Sequence, residues 1–320
     1  MRQIGKKGRG IMKIIRIIGV ASGWGALDRR CEAGPEALRR RGLVAHLRQQ
    51  GMPVSWEITI QPQESQDDNA VMAVQALSVE LSQVAGNVVA RGEPFIVLGG
   101  DHSCAIGTWS GAVSRRRIAG PVGLIWIDAH MDAHLPETSP SGALHGMPLA
   151  CLLGWGDPRL TAIGSPEPKF LPENVVLIGV RSFEPEEHRL LQRLGVKVFF
   201  MDEVRRRGLS EVFYEALGRI RDRTTGFGIS LDLDAIDPKE APAVGSPVPG
   251  GLAKEELLPL LRQLYGDPRL IGLEIAEYNP ALDEKQLTAR LISELLLSVF
   301  APLRLPYESY HRAGKAVLSA

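Results

Sequence analysis

The sequence predicts a single-domain α/β fold, in which helices cover both faces of a mostly parallel sheet to give three α/β/α layers. Three observations point to it. Eight apolar, strand-like runs recur along the 320 residues, helix-period segments lie between most of them, and runs such as Val175-Val176-Leu177-Ile178-Gly179-Val180 are continuously apolar. A strand buried on both faces loses the polar alternation of a half-exposed one, and parallel neighbours need crossovers that are usually helices. The length is large for one core yet within range of one domain.

Taken in chain order, residues 1–12 are basic and glycine-rich and read as a disordered tail, with Met12 an alternative start. The first strand is predicted at 14–20. Its shortness, with Lys13 and Arg16 around and in it, excludes a membrane span, and no clean signal-peptide core or small-residue cleavage site precedes it. A second strand falls at 53–60. Residues 70–90 place Val71, Val74, Leu77, Leu81, Val84 and Val88 three or four apart, the mark of an amphipathic helix, capped here by Asp67 or Asp68. Further strands are predicted at 95–98, 122–127, 175–180, 196–201, 226–233 and 270–276. Pro259 interrupts the helical pattern at 253–264 and predicts a kink or a later start. A last helix follows from Leu287, Leu291, Leu295 and Val299 within 284–299, and the domain spans 13–305 before a tail at 306–320. Proline and glycine concentrate at 136–168 and 237–251, which read as loops long enough to be functional.

Lys+Arg and Asp+Glu both number 37, so a nucleic-acid or acidic-membrane footprint is not expected. The three cysteines, Cys31, Cys104 and Cys151, form no close pair, which argues for a reducing, cytoplasmic setting. Cys104 lies two residues from His102 but reads as a small core residue.

The chemistry gathers at strand ends. Asp128-Ala129-His130-Met131-Asp132 follows the strand at 122–127, and Asp232-Leu233-Asp234 closes the one at 226–233. Side chains in a strand alternate faces, so 128, 130 and 132 point one way, as do 232 and 234, provided the extended backbone continues that far. Gly99-Gly100-Asp101-His102-Ser103 adds an imidazole after 95–98. In open α/β sheets ligands bind beyond the carboxyl ends of the strands. His102, Asp128, His130, Asp132, Asp232 and Asp234 supply two imidazoles and four carboxylates, an excess of charge for one divalent ion and a balance for two. Asp128 and Asp232 are then placed to bridge. An oxygen-rich set with imidazole and no thiolate favours two Mn²⁺, with Ni²⁺, Co²⁺, Fe²⁺ or Zn²⁺ as alternatives. Such a pair, about 3.5–4 Å apart, activates a bridging water near neutral pH.

The motifs Gly-Gly-Asp-His-Ser (99–103), Asp-Ala-His-x-Asp (128–132) and Ser-x-Asp-x-Asp-x-x-Asp-Pro (230–238), in this order, resemble those of the arginase (ureohydrolase) family, and the likeness runs from about Gly19 to about Phe300. The stretch from Asp128 through Thr138 to Pro148, and Gly272 to Pro280, are closer to arginases than to agmatinases. The resemblance implies an arginase-like fold and a binuclear manganese hydrolase, in which hydroxide attacks a guanidinium carbon to give urea and an amine. It places His102, Asp128, Asp132 and Asp232 on one metal, and Asp128, His130, Asp232 and Asp234 on the other. It gives Asp132 the orienting of the hydroxide, Glu277 the substrate guanidinium, and His145 a proton-shuttling role. It also implies a trimer or hexamer.

At the amino-acid end of the substrate the chain departs from arginases. His134 and Ala143 stand where those enzymes have asparagines, and Arg181-Ser182-Phe183-Glu184 replaces Arg-Asp-x-Asp. Ser141 and Glu184 remain for contacts to a carboxylate and an ammonium. Lost hydrogen-bond donors discriminate strongly among substrates, so another guanidino or amidino compound is an alternative to arginine. The further alternatives are agmatinase- or guanidinobutyrase-type hydrolysis, formimidoylglutamate hydrolysis and a non-catalytic metal-binding member of the fold. Glu277 and His145 beside a full ligand set argue against the last. Asp101 and Asp237 read as turn or cap residues that could also orient a metal ligand. His46 and His188, and Glu186 and Glu187 beside Glu184, read as solvated helix residues, and His311 falls in the polar tail.

Overall fold

The computed structural model describes residues 13–62, 69–116 and 119–302. The segments 1–12 and 306–320, read as tails, and the cap candidates Asp67 and Asp68 lie outside the described residues.

Eight strands form one all-parallel sheet: β1 (Ile15–Val20), β2 (Val54–Ile60), β3 (Phe95–Leu98), β4 (Val122–Ile127), β5 (Val175–Val180), β6 (Lys197–Phe200), β7 (Gly226–Asp232) and β8 (Leu270–Ala276), in the order β2-β1-β3-β8-β7-β4-β5-β6. Helices α1 (Gly34–Arg40), α2 (Leu43–Gln49), α3 (Ala70–Ala90), α4 (Cys104–Arg116), α5 (Pro148–Leu152), α6 (Pro158–Thr161), α7 (Pro185–Leu194), α8 (Met201–Arg207), α9 (Leu209–Arg223), α10 (Lys254–Arg262) and α11 (Leu287–Phe300) connect them. The predicted single-domain α/β/α architecture is the observed one. No helix among the described residues is long and apolar enough to cross a membrane.

The pleat sorts the core into two layers. Ile125 and Ile127 of β4 and Ile229 and Leu231 of β7 pack on one face with α9, α10 and α11. Leu124 and Trp126 face the other way, onto Leu81 and Ala85 of α3 and Ala105 and Trp109 of α4. Gly228 leaves room for the Trp109 ring against the sheet, since a Cβ there would sit 2.0 Å from that ring.

The chain leaves β3, skips past the positions of β8 and β7, and returns as β4. The carboxyl ends of the four central strands therefore lie side by side. Register places them at one level, with Ile127 beside Leu231, Asp232 beside Ala276 and Leu98 beside Ile275.

Several local expectations change. The α3 cap is Asn69, whose side chain accepts the Met72 N–H. Pro259 sits inside α10, which starts at Lys254 without delay. The stretch 136–168 is not an unbroken loop, because it holds a 3₁₀ turn at Leu144–Gly146 and the short helices α5 and α6. Pieces of three to five residues are too short to show a hydrophobic period, so the sequence pattern is silent about them.

Candidate metal centre and substrate pocket

After β3 the chain turns through Gly99 and Gly100 into α4. A Cβ on Gly100 would lie 1.9 Å from the Ser22 carbonyl oxygen, so this close approach requires glycine. Asp101 pins the turn by accepting the Gly25 N–H at 3.0 Å and the Ser103 N–H at 2.9 Å. His102 is thereby driven inward and is 1% exposed. Its ring stacks on Trp126, with centroids 4.3 Å apart, and its Nε2 lies 2.9 Å from Ser230 Oγ, which donates to Glu274 Oε1 at 2.8 Å.

So held, His102 Nδ1 faces Asp132 Oδ2 at 3.0 Å, Asp232 Oδ2 at 3.2 Å and Asp128 Oδ2 at 3.3 Å. Neither Nδ1 nor Asp132 Oδ2 completes a hydrogen bond, although both are buried. On the other side, His130 Nδ1 lies 3.0 Å from Asp234 Oδ2 and 3.6 Å from Asp128 Oδ1. Asp128 is thus shared, one oxygen toward each imidazole. Two triads, His102–Asp128–Asp132 and Asp128–His130–Asp234, each bring their ligand atoms within 4.8 Å of one another.

Strand alternation is not what makes these side chains converge. β4 ends at Ile127, and Asp132 takes a left-handed φ of 48°. Asp232 is the last strand residue, and its carboxylate accepts the Asp234 N–H as the chain enters a 3₁₀ turn. Glu277, just past β8, is also left-handed at φ 71°. Among the described residues only three that are not glycine have positive φ, and two of them lie here. Such conformations cost free energy and persist where the surroundings enforce them.

The electrostatics show a site short of positive charge. Burial, then the Asp128 charge, pushes Asp132 up to about 7. Burial and the charges of Asp234 and Asp128 lift Asp232 well above the carboxylate range. Asp128 is instead held low, because hydrogen bonds from two imidazoles outweigh its burial. Four buried carboxylates with orphaned donor atoms fit a pair of divalent cations, and the donor chemistry suits Mn²⁺ and its neighbours. Cys104 takes no part; it is buried, with its sulfur packed over Gly99.

The cluster opens into a cavity of about 100 Å³ whose wall includes His130, Asp132, His145, Ser246 and Glu277. Glu277 Oε1 accepts the His102 N–H at 2.9 Å and lies 3.0 Å from His145 Nδ1. Burial opposes charge on His145, but the Glu277 carboxylate outweighs it and raises the ring to about 10. At the outer end His134 is 7% exposed, with Nε2 2.9 Å from Glu184 Oε2 and 3.4 Å from Glu187 Oε2.

The structure therefore brings together His102, Asp128, His130, Asp132, Asp232, Asp234, His145, Glu277, His134 and Glu184. It does not bring in Ser141, which is exposed and accepts the Ala143 N–H through Oγ. Glu187 is not a solvated helix residue; it is buried, accepts the Ala133 N–H and completes the capping box that starts α7. His188 is half-buried against Phe183 and Phe200, while His46 is exposed as expected. Asp237 caps its loop by accepting the Lys239, Gly250 and Gly251 N–H groups. Trp126 lies outside the motifs, whereas Ser230, Glu274 and Arg181 fall within strand-end segments that the sequence singles out without giving them a role. Trp126 and Ser230 lie two residues before Asp128 and Asp232, and that same-face spacing could have given them one. The Arg181 guanidinium ties the β7 end to the following loop through the carbonyls of Asp234, Ala235 and Val248.

The sequence matches the arginase family profile over residues 13–301. It is 40% identical over 297 residues to the arginase of Bacillus caldovelox, covering 90% of this chain and 98% of that protein. The crystal structure of the Bacillus subtilis arginase superposes with a TM-score of 0.85 at 37% identity, covering 92% of this chain and all of that one. The Bacillus subtilis formimidoylglutamase structure, at 22% identity and a TM-score of 0.72, shares the fold alone. With its central strand ends, paired metal-type triads and these relatives, the chain belongs to the arginase family.

Proposed function

We propose that this protein is a binuclear manganese hydrolase that cleaves a guanidino group to urea and an amine, with L-arginine the first substrate to test. The observation that carries it is the Glu277–His145 pair at 3.0 Å, set in the same small cavity as the four-carboxylate, two-imidazole cluster. His102, Asp128, Asp132 and Asp232 would hold one ion, and Asp128, His130, Asp232 and Asp234 the other. Bound there, two divalent ions supply water whose pKa is brought near neutrality.

The chain's own residues do the rest. Glu277 presents a buried carboxylate to the planar, forked guanidinium, a geometry that suits charge-assisted pairing. Asp132 keeps a buried oxygen without a hydrogen-bond partner, available to orient the attacking water. His145, with its side chain 24% exposed and paired to Glu277, connects solvent to the leaving amine and can carry a proton between them. His134 and Ala143 support a second reading, a guanidino compound other than arginine, because neither supplies an amide donor.

The test is urea release and product identification across arginine, agmatine and guanidinobutyrate, with Mn²⁺ and Ni²⁺ each supplied. Turnover of arginine to urea is expected. No turnover on any substrate, with stoichiometric metal bound, would remove the hydrolase reading. Three buried, unpaired cysteines support a reducing cytoplasm, and a trimer or hexamer is the assembly that a solution mass measurement should find.

A further inference from the structure

The outer end of the pocket holds a third cluster of metal-ligand type, in which each side chain also has a hydrogen-bond partner within the protein. His134 Nε2, Glu184 and Glu187 bring their ligand atoms within 4.8 Å of one another, as do the two triads below them. Two carboxylate oxygens approach this one ring nitrogen at 2.9 and 3.4 Å, and a single imidazole proton can serve only one of them well. Among the described residues His134 is the sole ion-pair partner of either glutamate. We propose that His134, Glu184 and Glu187 form a third divalent-cation site, distinct from the binuclear centre, that anchors the amino-acid end of the substrate. This rests on the hydrolase reading above and extends it.

The three side chains are held as ligands are. His134 Nδ1 lies 3.1 Å from Thr138 Oγ1, and that hydroxyl is itself fixed by the Leu135 N–H at 2.9 Å. Metal-binding histidines characteristically have the second ring nitrogen tied down in this way. Glu187 Oε1 accepts the Ala133 N–H and its Oε2 accepts the Glu184 N–H, both at 3.0 Å, so this 3% exposed carboxylate cannot swing away. Glu184 is the exposed member, its side chain 49% exposed at the rim.

Three protein ligands leave coordination positions open to the pocket. One imidazole and two carboxylates suit Mn²⁺, Fe²⁺ or Zn²⁺. An α-amino acid chelates such an ion through its amine nitrogen and one carboxylate oxygen. An ion here would restore the grip on that end of the substrate that His134 and Ala143 remove by displacing two amides. The imidazole brings a metal-binding nitrogen to the place where the amide of an arginase would stand.

The experiment is equilibrium dialysis of the full chain against Mn²⁺, with metal counted per chain by mass spectrometry. Wild type is expected to hold three ions, and His134→Asn and Glu184→Gln two each. His134→Asn installs the residue arginases carry, so retention of two ions also reports an intact fold. Equal counts of two in wild type and both variants would overturn the third site and leave the binuclear reading standing. A wild-type count below two would overturn both. L-Ornithine, which carries the chelating pair, should tighten the third ion by about tenfold, whereas putrescine, which lacks the carboxylate, should not. An equal response to both would overturn the anchoring role.

Discussion

Asp128 faces both imidazoles at once, with Oδ2 toward His102 and Oδ1 toward His130, while the Trp126 Nε1–H and the His130 N–H hold it in place. Asp128→Asn keeps the shape and removes both a charge and one of the two anionic oxygens that face the imidazoles. It is expected to lose most bound metal and nearly all urea release, as read by metal analysis beside an activity assay; two ions and a normal rate would refute the assignment. His145 touches Glu277 but no metal-type triad. His145→Asn should slow turnover roughly 10²–10⁴-fold, the usual worth of a positioned proton carrier, with metal content unchanged. Parallel loss of metal would mean that the residue is structural. At this scale the ligands were legible because their residue types and spacing are rare in combination. Glu187 was not, since a glutamate in a charge run gains meaning only when the fold buries it, and the segment from Glu274 to Glu277 stood out without showing that Glu274 accepts from Ser230. Nor was the left-handed backbone of Asp132 and Glu277, which no residue type there announces.

Helix α4 crosses α3 at backbone contact. A Cβ on Gly111 would fall 2.0 Å from the Ser82 carbonyl oxygen, and one on Gly107 2.8 Å from that of Ser78. Backbone cannot step aside as a flexible side chain does, so Gly111→Ala must part the helices. A loss of about 1–3 kcal/mol is expected, visible in urea unfolding; an unchanged midpoint would show that the crossing relaxes freely. Where β1 and β3 run side by side, Arg16 and Arg91 hold Glu93, and hydrogen bonding to Arg16 lowers its carboxyl to about 2. A carboxylate with a depressed folded pKa stabilises above its unfolded value of about 4.3 and loses that contribution as pH falls through about 2. Glu93→Gln should flatten the acid limb of the stability curve in that window. The effect is small, because Arg91 and Arg16 are partly exposed and salt screens them. Superimposable curves for the two proteins in metal-free buffer would refute it. Elements with a clear period, such as α3 and α11, or with a continuous apolar run, such as β5, were legible from the sequence. The short α5 and α6 were not, and α5 matters because its Leu149 N–H donates to the Asp132 carbonyl at 2.9 Å.

The sheet order sets the whole arrangement, since placing β8 and β7 between β3 and β4 lines up four strand ends on one level. The strands themselves were legible, but their order was not, because no local pattern records which strand lies beside which. The consequence is a core whose central end carries four buried carboxylates. Asp132, Asp232 and Asp234 are all shifted upward by burial and then by neighbouring carboxylate charge, that of Asp128 in every case, so the metal-free protein holds them at a cost. Cations that bind only the folded chain should offset that cost and add stability in proportion to the logarithm of their excess. At a free concentration near a thousand times the dissociation constant this amounts to about 4 kcal/mol, or on the order of 10 °C in melting temperature for a chain of this size. Removing metal with a chelator should lower the melting temperature by that order, and returning Mn²⁺ should restore it. Asp128→Asn should melt at one temperature whether or not Mn²⁺ is present, because the carboxylate that faces both halves of the cluster is gone. Equal melting of the wild type with and without chelator would mean that the carboxylates are neutralised by protons alone and that the strand ends do not form a metal centre.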